Sequence, residues 1–499
     1  MIVGIKKLKQ LSKDYNVLPV AIQAGADLVT PVQAFSRLNK ENGAAFFLES
    51  IQGGENIARY SFLGVHPVAE LKIIGDELHV IKNGETKKIK GNPLLSLKNY
   101  MQKYCGPSLD ELPPFCGGLV GNVSYEAVED IEPILKTNSS EHNANICKAH
   151  LMLFKEVVAF DRVKDRIIVV SNIFTNDGPL EEEISKAQEK SKRILETILN
   201  TSSAQTPLRF FNDDVVDKVK EHKGLWGEND FIDAVKKVKK HIRAGNIFQC
   251  VISDAFEFPL KGTPLQIYRY LRTLCPSPYL YFLNFGDKEY LLGASPELLC
   301  KYDGKNVFVS PIAGTRPRGS DKAQDKKLEG ELLASIKEKA EHLMLVDLGR
   351  NDVGKVAQPG SVEVEEFMKV YRFSNVMHLV SIVKGRLKKT LTAWDAFFSA
   401  FPAGTLTGAP KIRAMQIIKE LEPRVRGSYG GAVVYNDFSG RLDSCIAIRS
   451  AHIKDNKITI QAGAGIVADS SPKKEYEEVM HKSMAIKKAI QMASLGEDV

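Results

Sequence analysis

The sequence predicts an α+β fold built on large, mainly antiparallel sheets, and three observations lead there. From about residue 14 to about 170, short apolar runs such as 71–81 and 166–173 are broken by Gly, Asn and Pro, the pattern of strands joined by hairpins. Beyond a helix that stops at Gly245, the period switches to two over 247–258. Helical and strand patterns then alternate too irregularly for a doubly wound sheet or a barrel, and no internal repeat is visible.

In chain order, Phe46-Phe47-Leu48-Glu49-Ser50, Arg59-Tyr60-Ser61-Phe62-Leu63-Gly64 and Pro114-Phe115-Cys116-Gly117-Gly118-Leu119-Val120-Gly121 read as buried strands, with glycine bends. Residues 178–199 read as a charged helix. The polar, aperiodic stretch 201–214 reads as a connection, which sets a sheet-forming N-terminal part (1–200) and a linker-like segment (201–225) before a C-terminal part (226–499). In that part Phe231, Val235, Val238 and Ile242 form one apolar stripe. Over 247–258, Phe248, Cys250, Ile252, Phe256 and Phe258 share one face and Gln249, Val251 and Ser253 the other. Segments 279–285 and 290–299 are expected as the neighbours of this central strand. A helix is expected over about 326–345, using Leu328, Leu332, Ile336 and Leu343, then a charged turn at 347–352 and short strands to about 384. Ser471-Pro472 opens a last helix running to about 493.

Apolar content of 43% and charged content of 26% describe a globular chain with a substantial core. The net charge of +7 is spread in short lysine clusters such as Lys236-Lys237 and Lys239-Lys240, interleaved with an apolar helix face, so it suits small anionic substrates better than a nucleic acid. Seven widely spaced cysteines without a CxxC give neither a disulfide framework nor a zinc site, and imply a reducing compartment. Without an apolar run near the ~18 residues of a membrane span, the expected location is the cytoplasm.

Pro311-Ile312-Ala313-Gly314-Thr315-Arg316-Pro317-Arg318-Gly319, preceded by Gly293-Ala294-Ser295-Pro296-Glu297, reads as a shape-holding loop. Glu338 and Glu341 on one expected helix, and Glu475 and Glu478 on another, each place two carboxylates on one face. Such pairs are either a solvated face or, if the helices meet, a hard-cation site suited to Mg²⁺. The run Gly404-Thr405-Leu406-Thr407-Gly408-Ala409-Pro410-Lys411 lacks the spacing of a phosphate loop, and Gly463-Ala464-Gly465 lacks the third glycine of a dinucleotide loop. Both nevertheless offer backbone N–H groups to a carboxylate. Arg449 would bind a carboxylate bidentately or form a structural ion pair.

Taken together these motifs resemble the chorismate-utilising enzymes, most closely the anthranilate synthase component I family. Leu48-Glu49-Ser50, Arg59-Tyr60-Ser61, Ile247-Phe248-Gln249, Pro276-Ser277-Pro278-Tyr279, Gly293 to Glu297, Pro311 to Gly319, Glu341 to Asp352, Gly404 to Lys411 and Gly463 to Gly465 carry the resemblance in order. It implies a large α/β sandwich of two antiparallel sheets with the active site between them. It also implies a Mg²⁺-dependent lyase that aminates chorismate at C2 with loss of the 4-hydroxyl, then eliminates pyruvate. Glu297 would be the acid that the poor leaving group needs. Glu341 and Glu478 would ligate Mg²⁺, with Glu338 and Glu475 acting through its waters. Arg449, Tyr429 and the amides around Gly463 and Gly465 would hold the enolpyruvyl carboxylate. Thr315, Thr405 and His378 would line the ring site, His378 serving the elimination.

Gln249 stands where isochorismate and salicylate synthases carry lysine, and Ala313 where the usual aminodeoxychorismate synthases carry lysine. Both point to anthranilate; the folate-branch enzyme and a non-catalytic chorismate-binding scaffold are the alternatives. With no glutaminase in the chain, ammonia from glutamine would come from a separate amidotransferase subunit. Leu48, Glu49, Ser50, Pro278 and Tyr279 match the family's tryptophan feedback site. Cys275, Leu280 and Ser253-Asp254-Ala255 depart from the family pattern, which implies altered affinity for tryptophan.

Overall fold

Alternation along the strands sorts side chains into layers. In Ala45–Glu49, Phe46 packs between the two sheets with Phe115, Phe154 and Tyr281, while Phe47 faces outward onto Phe35 and Tyr268. The computed structural model describes residues 1–40, 43–51, 59–136, 146–200, 208, 224–373 and 376–495. Among these, an eleven-stranded and a twelve-stranded sheet, antiparallel at each described pairing, stack face to face with helices on both outer faces. The α+β class and the sandwich expected from the sequence are what the structure has.

Both parts of the chain enter both sheets. In the first sheet five strands from the N-terminal part meet six from the C-terminal part along a seam where Ala45–Glu49 pairs with Tyr279–Asn284. In the second sheet the seam is Gly118–Val123 against Ala432–Asp437. The boundary drawn at 201–225 therefore separates stretches of sequence but not hydrophobic cores; apart from Leu208 and 224–225, that segment lies outside the described residues.

Helices Leu180–Leu199, Glu228–Arg243 and Pro472–Leu495 match the expected spans, and Gly245 takes the left-handed conformation (φ 76°) behind the second. Four local readings need correction. The helix expected over 326–345 is two, Lys322–Ala334 and Ile336–Val356, hinged at Ser335, whose side chain caps the second by accepting from the Glu338 N–H. The charged run 347–352 is helix and not a turn, because Leu345, Val346, Val353 and Val356 continue a buried face through it. Residues 312–317 and 463–465 are strand and not loop; the first carries a bulge at Gly314 (φ 68°). Finally, Gln249–Pro259 lies between Lys457–Ile466 and the short edge strand Gly408–Ala409, with two strands separating it from Tyr290–Ser295. Phe248 precedes it and is 72% exposed, outside the apolar face assigned to it.

All seven cysteines are free, and no described helix is long and apolar enough to cross a membrane.

Candidate active site

Two connections that cross between the sheets carry the central residues. Tyr290–Ser295 belongs to the first sheet and Leu298–Tyr302 to the second, so Glu297 sits on the crossing; Arg449 sits on the return, between Leu442–Ile446 and Ser450–Lys454. The crossings are stitched together, Ile446 N–H donating to Glu297 O (3.1 Å) and Ala294 N–H to Arg449 O (3.2 Å). Sequence neighbours do not disclose this pairing.

The Glu297 side chain is buried and accepts a hydrogen bond from Thr405 Oγ1 at 3.0 Å. Burial pushes its carboxyl up to about 8, against the Thr405 hydroxyl, the Ile312 amide and the positive charges of Lys482 and Arg449. A carboxyl so placed is protonated at neutral pH and can act as an acid. Across the site, His378 is held by Gly314 O (3.0 Å) and Thr315 Oγ1 (3.1 Å), both at Nδ1. Burial lowers it to about 4, with Arg449 and Lys482 adding to the effect. A neutral ring that donates Nδ1–H to the Gly314 carbonyl keeps Nε2 as an acceptor.

Among the described residues no carboxylate pairs with Arg449, whereas Arg59, Arg162, Arg272, Arg318 and Arg426 each have one. Its charge is free for a ligand. Nearby, the Val251 and Ser253 N–H groups donate to Thr407 O and Glu422 Oε1 (2.9 Å each). Their cross-strand partners Gly465 and Gly463 are therefore in non-hydrogen-bonded pairs and turn their amides away from that strand. On that side Ser450–Lys454 pairs only with residues 457–460, so these amides are not spent on the ladder. Side chains would crowd this floor: a Cβ at Gly463 would lie 2.7 Å from the Tyr429 hydroxyl, and one at Gly465 2.7 Å from Gln249 Nε2. Gln249 is buried, and among the described residues its Oε1 has no partner.

Lys482 is the residue the sequence reading missed. It bonds Gly463 O (3.1 Å) and Glu478 Oε1 (2.6 Å), and its charge acts on Glu297, His378, Glu341 and Glu475. Its spacing of four and seven residues from Glu478 and Glu475 on one helix face was the available signal.

The two Glu-x-x-Glu helices come within electrostatic reach of each other. Burial raises the Glu341 carboxyl, and the charges of Glu338, on its own helix, and of Glu478, on the other, add to the rise. Burial raises Glu475 as well, with Glu478 contributing. Among the described residues no three acidic, His or Cys side chains are gathered closely enough to hold a metal ion. Instead Arg316 pairs with Glu338 (3.2 Å) and Lys482 with Glu478.

The family model described as chorismate binding enzyme matches residues 43–488. The chain belongs to this family. Anthranilate synthase component 1 of Acetivibrio thermocellus is 42% identical over 98% of both chains, that of Aquifex aeolicus 42% over 99% of both, and that of Bacillus subtilis 40% over 97% of this chain and 94% of the relative. Among solved structures, anthranilate synthase component I of Streptococcus pneumoniae is 35% identical, with a TM-score of 0.73 over 88% of this chain and 93% of that one. The menaquinone-specific isochorismate synthase of Escherichia coli shares the fold (TM-score 0.69, 16% identity, 97% and 98% covered).

A second cavity in this chorismate-binding enzyme, of about 460 Å³, lies between the sheets and is lined by Leu48, Ser50, Pro278 and Tyr279 together with Asp443. The Tyr279 hydroxyl donates to Asp443 (3.1 Å), and among the described residues Ser50 Oγ has no partner. Glu49 also borders it, but strand alternation turns its carboxylate to the opposite face, where Tyr268 OH (2.9 Å), Arg272 Nε (2.8 Å) and Arg162 Nη2 (3.0 Å) donate to it. Glu49 builds the wall and is not open to a ligand. Replacing Glu49 by alanine is expected to destabilise the protein by about 2–4 kcal/mol, since two arginines lose their partner; urea unfolding measures it.

Proposed function

We propose that the chain is the large subunit of an anthranilate synthase, converting chorismate and ammonia to anthranilate and pyruvate in tryptophan biosynthesis. The observation that carries the mechanism is the protonated, Thr405-bonded Glu297 beside an arginine without a carboxylate partner. In the first step ammonia bonds to C2, the ring double bonds shift and the C4–O bond breaks. Glu297 gives its proton to the departing hydroxyl, which leaves as water, and the new ammonium returns a proton. In the second, His378 Nε2 takes the C2 proton and the C2–H electrons form the C2–C3 double bond. The C3–O bond breaks to release the enolate of pyruvate, which becomes pyruvate by taking up one proton at its methylene carbon, so that the proton given to His378 is balanced. Arg449 and the Gly463 and Gly465 amides orient the enolpyruvyl carboxylate, with the Tyr429 hydroxyl at the same floor. Gln249 cannot serve as a base to activate water, which favours ammonia as the nucleophile.

The four glutamates are hard oxygen donors, and the repulsion that Glu338 and Glu478 exert on Glu341, and Glu478 on Glu475, is what a divalent cation would relieve. Their chemistry thus suits Mg²⁺ once the cation draws the carboxylates together and displaces Arg316 and Lys482 from Glu338 and Glu478. Bound there it would hold the ring carboxylate and offset its charge. Ammonia from glutamine would come from an amidotransferase subunit. The second cavity would take tryptophan, its apolar walls facing the indole and Ser50 and Asp443 offering polar contacts.

The test is purified protein with chorismate, Mg²⁺ and ammonium salt at mildly alkaline pH, with products identified by mass and fluorescence. Equal amounts of anthranilate and pyruvate are expected; 4-amino-4-deoxychorismate, or no turnover, would overturn the reading. Tryptophan added to the same assay is expected to inhibit, and no inhibition at millimolar levels would dismiss the effector assignment.

A further inference from the structure

Arg449 reaches the site from a constrained backbone. Its φ is 50°, in the left-handed region that non-glycine residues seldom occupy, and its carbonyl is fixed by the Ala294 N–H. The backbone therefore fixes where the side chain starts but not where the guanidinium points. The guanidinium Nη1 donates to Cys275 Sγ at 3.5 Å. Cys275 is itself anchored: its N–H donates to Leu271 O (2.8 Å) at the end of helix Pro264–Leu274, and its carbonyl accepts from Ser277 Oγ (3.2 Å), which also lies 3.4 Å from Ala294 O.

We propose that Cys275 is a positioning residue for chorismate binding, whose thiol aims the Arg449 guanidinium without neutralising it. The proposal rests on the reading of Arg449 as a carboxylate receiver. An aspartate or glutamate in that place would orient the arginine equally well but would compete with the incoming carboxylate. A thiol is a weak, uncharged acceptor that leaves the positive charge to the substrate. Sulfur also leaves the remaining guanidinium donors unclaimed, so a bidentate grip stays available.

Three variants of the full chain separate acceptor, shape and charge: Cys275→Ser, Cys275→Val and Cys275→Asp, each assayed with ammonium salt. KM for chorismate is expected to stay near that of the parent in the serine variant. It should rise about three- to ten-fold in the valine variant, as for one lost hydrogen bond, and further in the aspartate variant. kcat and the thermal midpoint should hold in the serine and valine variants. Arg449→Met is the control. It should raise KM by itself, and Cys275→Val added to it should raise KM no further. An unchanged KM in Cys275→Val, or equal losses in all three variants, overturns the positioning role while the role of Arg449 stands. An unchanged KM in Arg449→Met overturns the carboxylate reading and this proposal with it.

Discussion

Replacing Glu297 by glutamine is expected to lower kcat by about 10²–10⁴-fold, the usual worth of a general acid, while leaving a folded protein. Glutamine keeps the shape and can still accept from Thr405, but has no proton to give the leaving hydroxyl. The parent enzyme should lose kcat as pH rises through about 8, where the buried carboxyl ionises. That limb should be missing from the residual activity of the variant. The stability of the parent should fall over the same range. Because the folded-state value lies above the ordinary 4.5, the protonated form is favoured on folding; the contribution is whole below 4.5 and is lost as pH rises through about 8. At pH 9 the variant should therefore melt above the parent, and at pH 4 the two should match. Thermal unfolding at both pH values checks this. Near-parental kcat would remove Glu297 from the acid role.

The double replacement Glu341→Gln with Glu478→Gln is expected to reduce Mg²⁺-supported turnover by at least about 10²-fold by taking one carboxylate from each helix. A second readout does not depend on turnover. In the parent, burial and like charge keep Glu341 above its ordinary range, so its contribution to stability falls as pH rises out of the carboxylate range. Without divalent cations the double variant should thus be more stable than the parent at neutral pH. Added Mg²⁺ should raise the melting temperature of the parent and leave that of the variant unmoved. Cation-induced stabilisation of equal size in both would place the metal elsewhere.

Much of this site could be read from residue order alone, and the failures have a common cause. The apolar stripe at Phe231, Val235, Val238 and Ile242 and the Ser471-Pro472 start are local signals, and the helices there came out as expected. The run 347–352 looked like a turn because its charges outnumber its apolar residues; the buried partners that keep it helical lie on other elements, as in the pairing of Asp352 with Lys411. Gly463 and Gly465 looked like a loop because glycine is rare inside strands, yet there it makes room for Tyr429 and Gln249. Glu49 shows the limit of motif transfer: the motif identified the wall, and only the strand's pleat showed which way the carboxylate turns. Lys482 went unnoticed because an i,i+4 lysine after a glutamate is an ordinary helix-surface pair until the facing strand supplies Gly463 O.

The seams between the two parts of the chain bear on how the protein is made. As the ribosome releases the first 200 residues, Ala45–Glu49 can find Tyr60–Val65 on one side, but its other edge stays bare until Tyr279–Asn284 emerges. Gly118–Val123 waits longer still, for Ala432–Asp437. Nascent chains thus carry two open, apolar strand edges until Tyr279–Asn284 emerges and one until Ala432–Asp437 emerges, the kind of surface on which aggregation starts and chaperones act. For the same reason a gene split near codon 210 should yield soluble protein only when both fragments are produced in one cell, each supplying the edge that the other lacks.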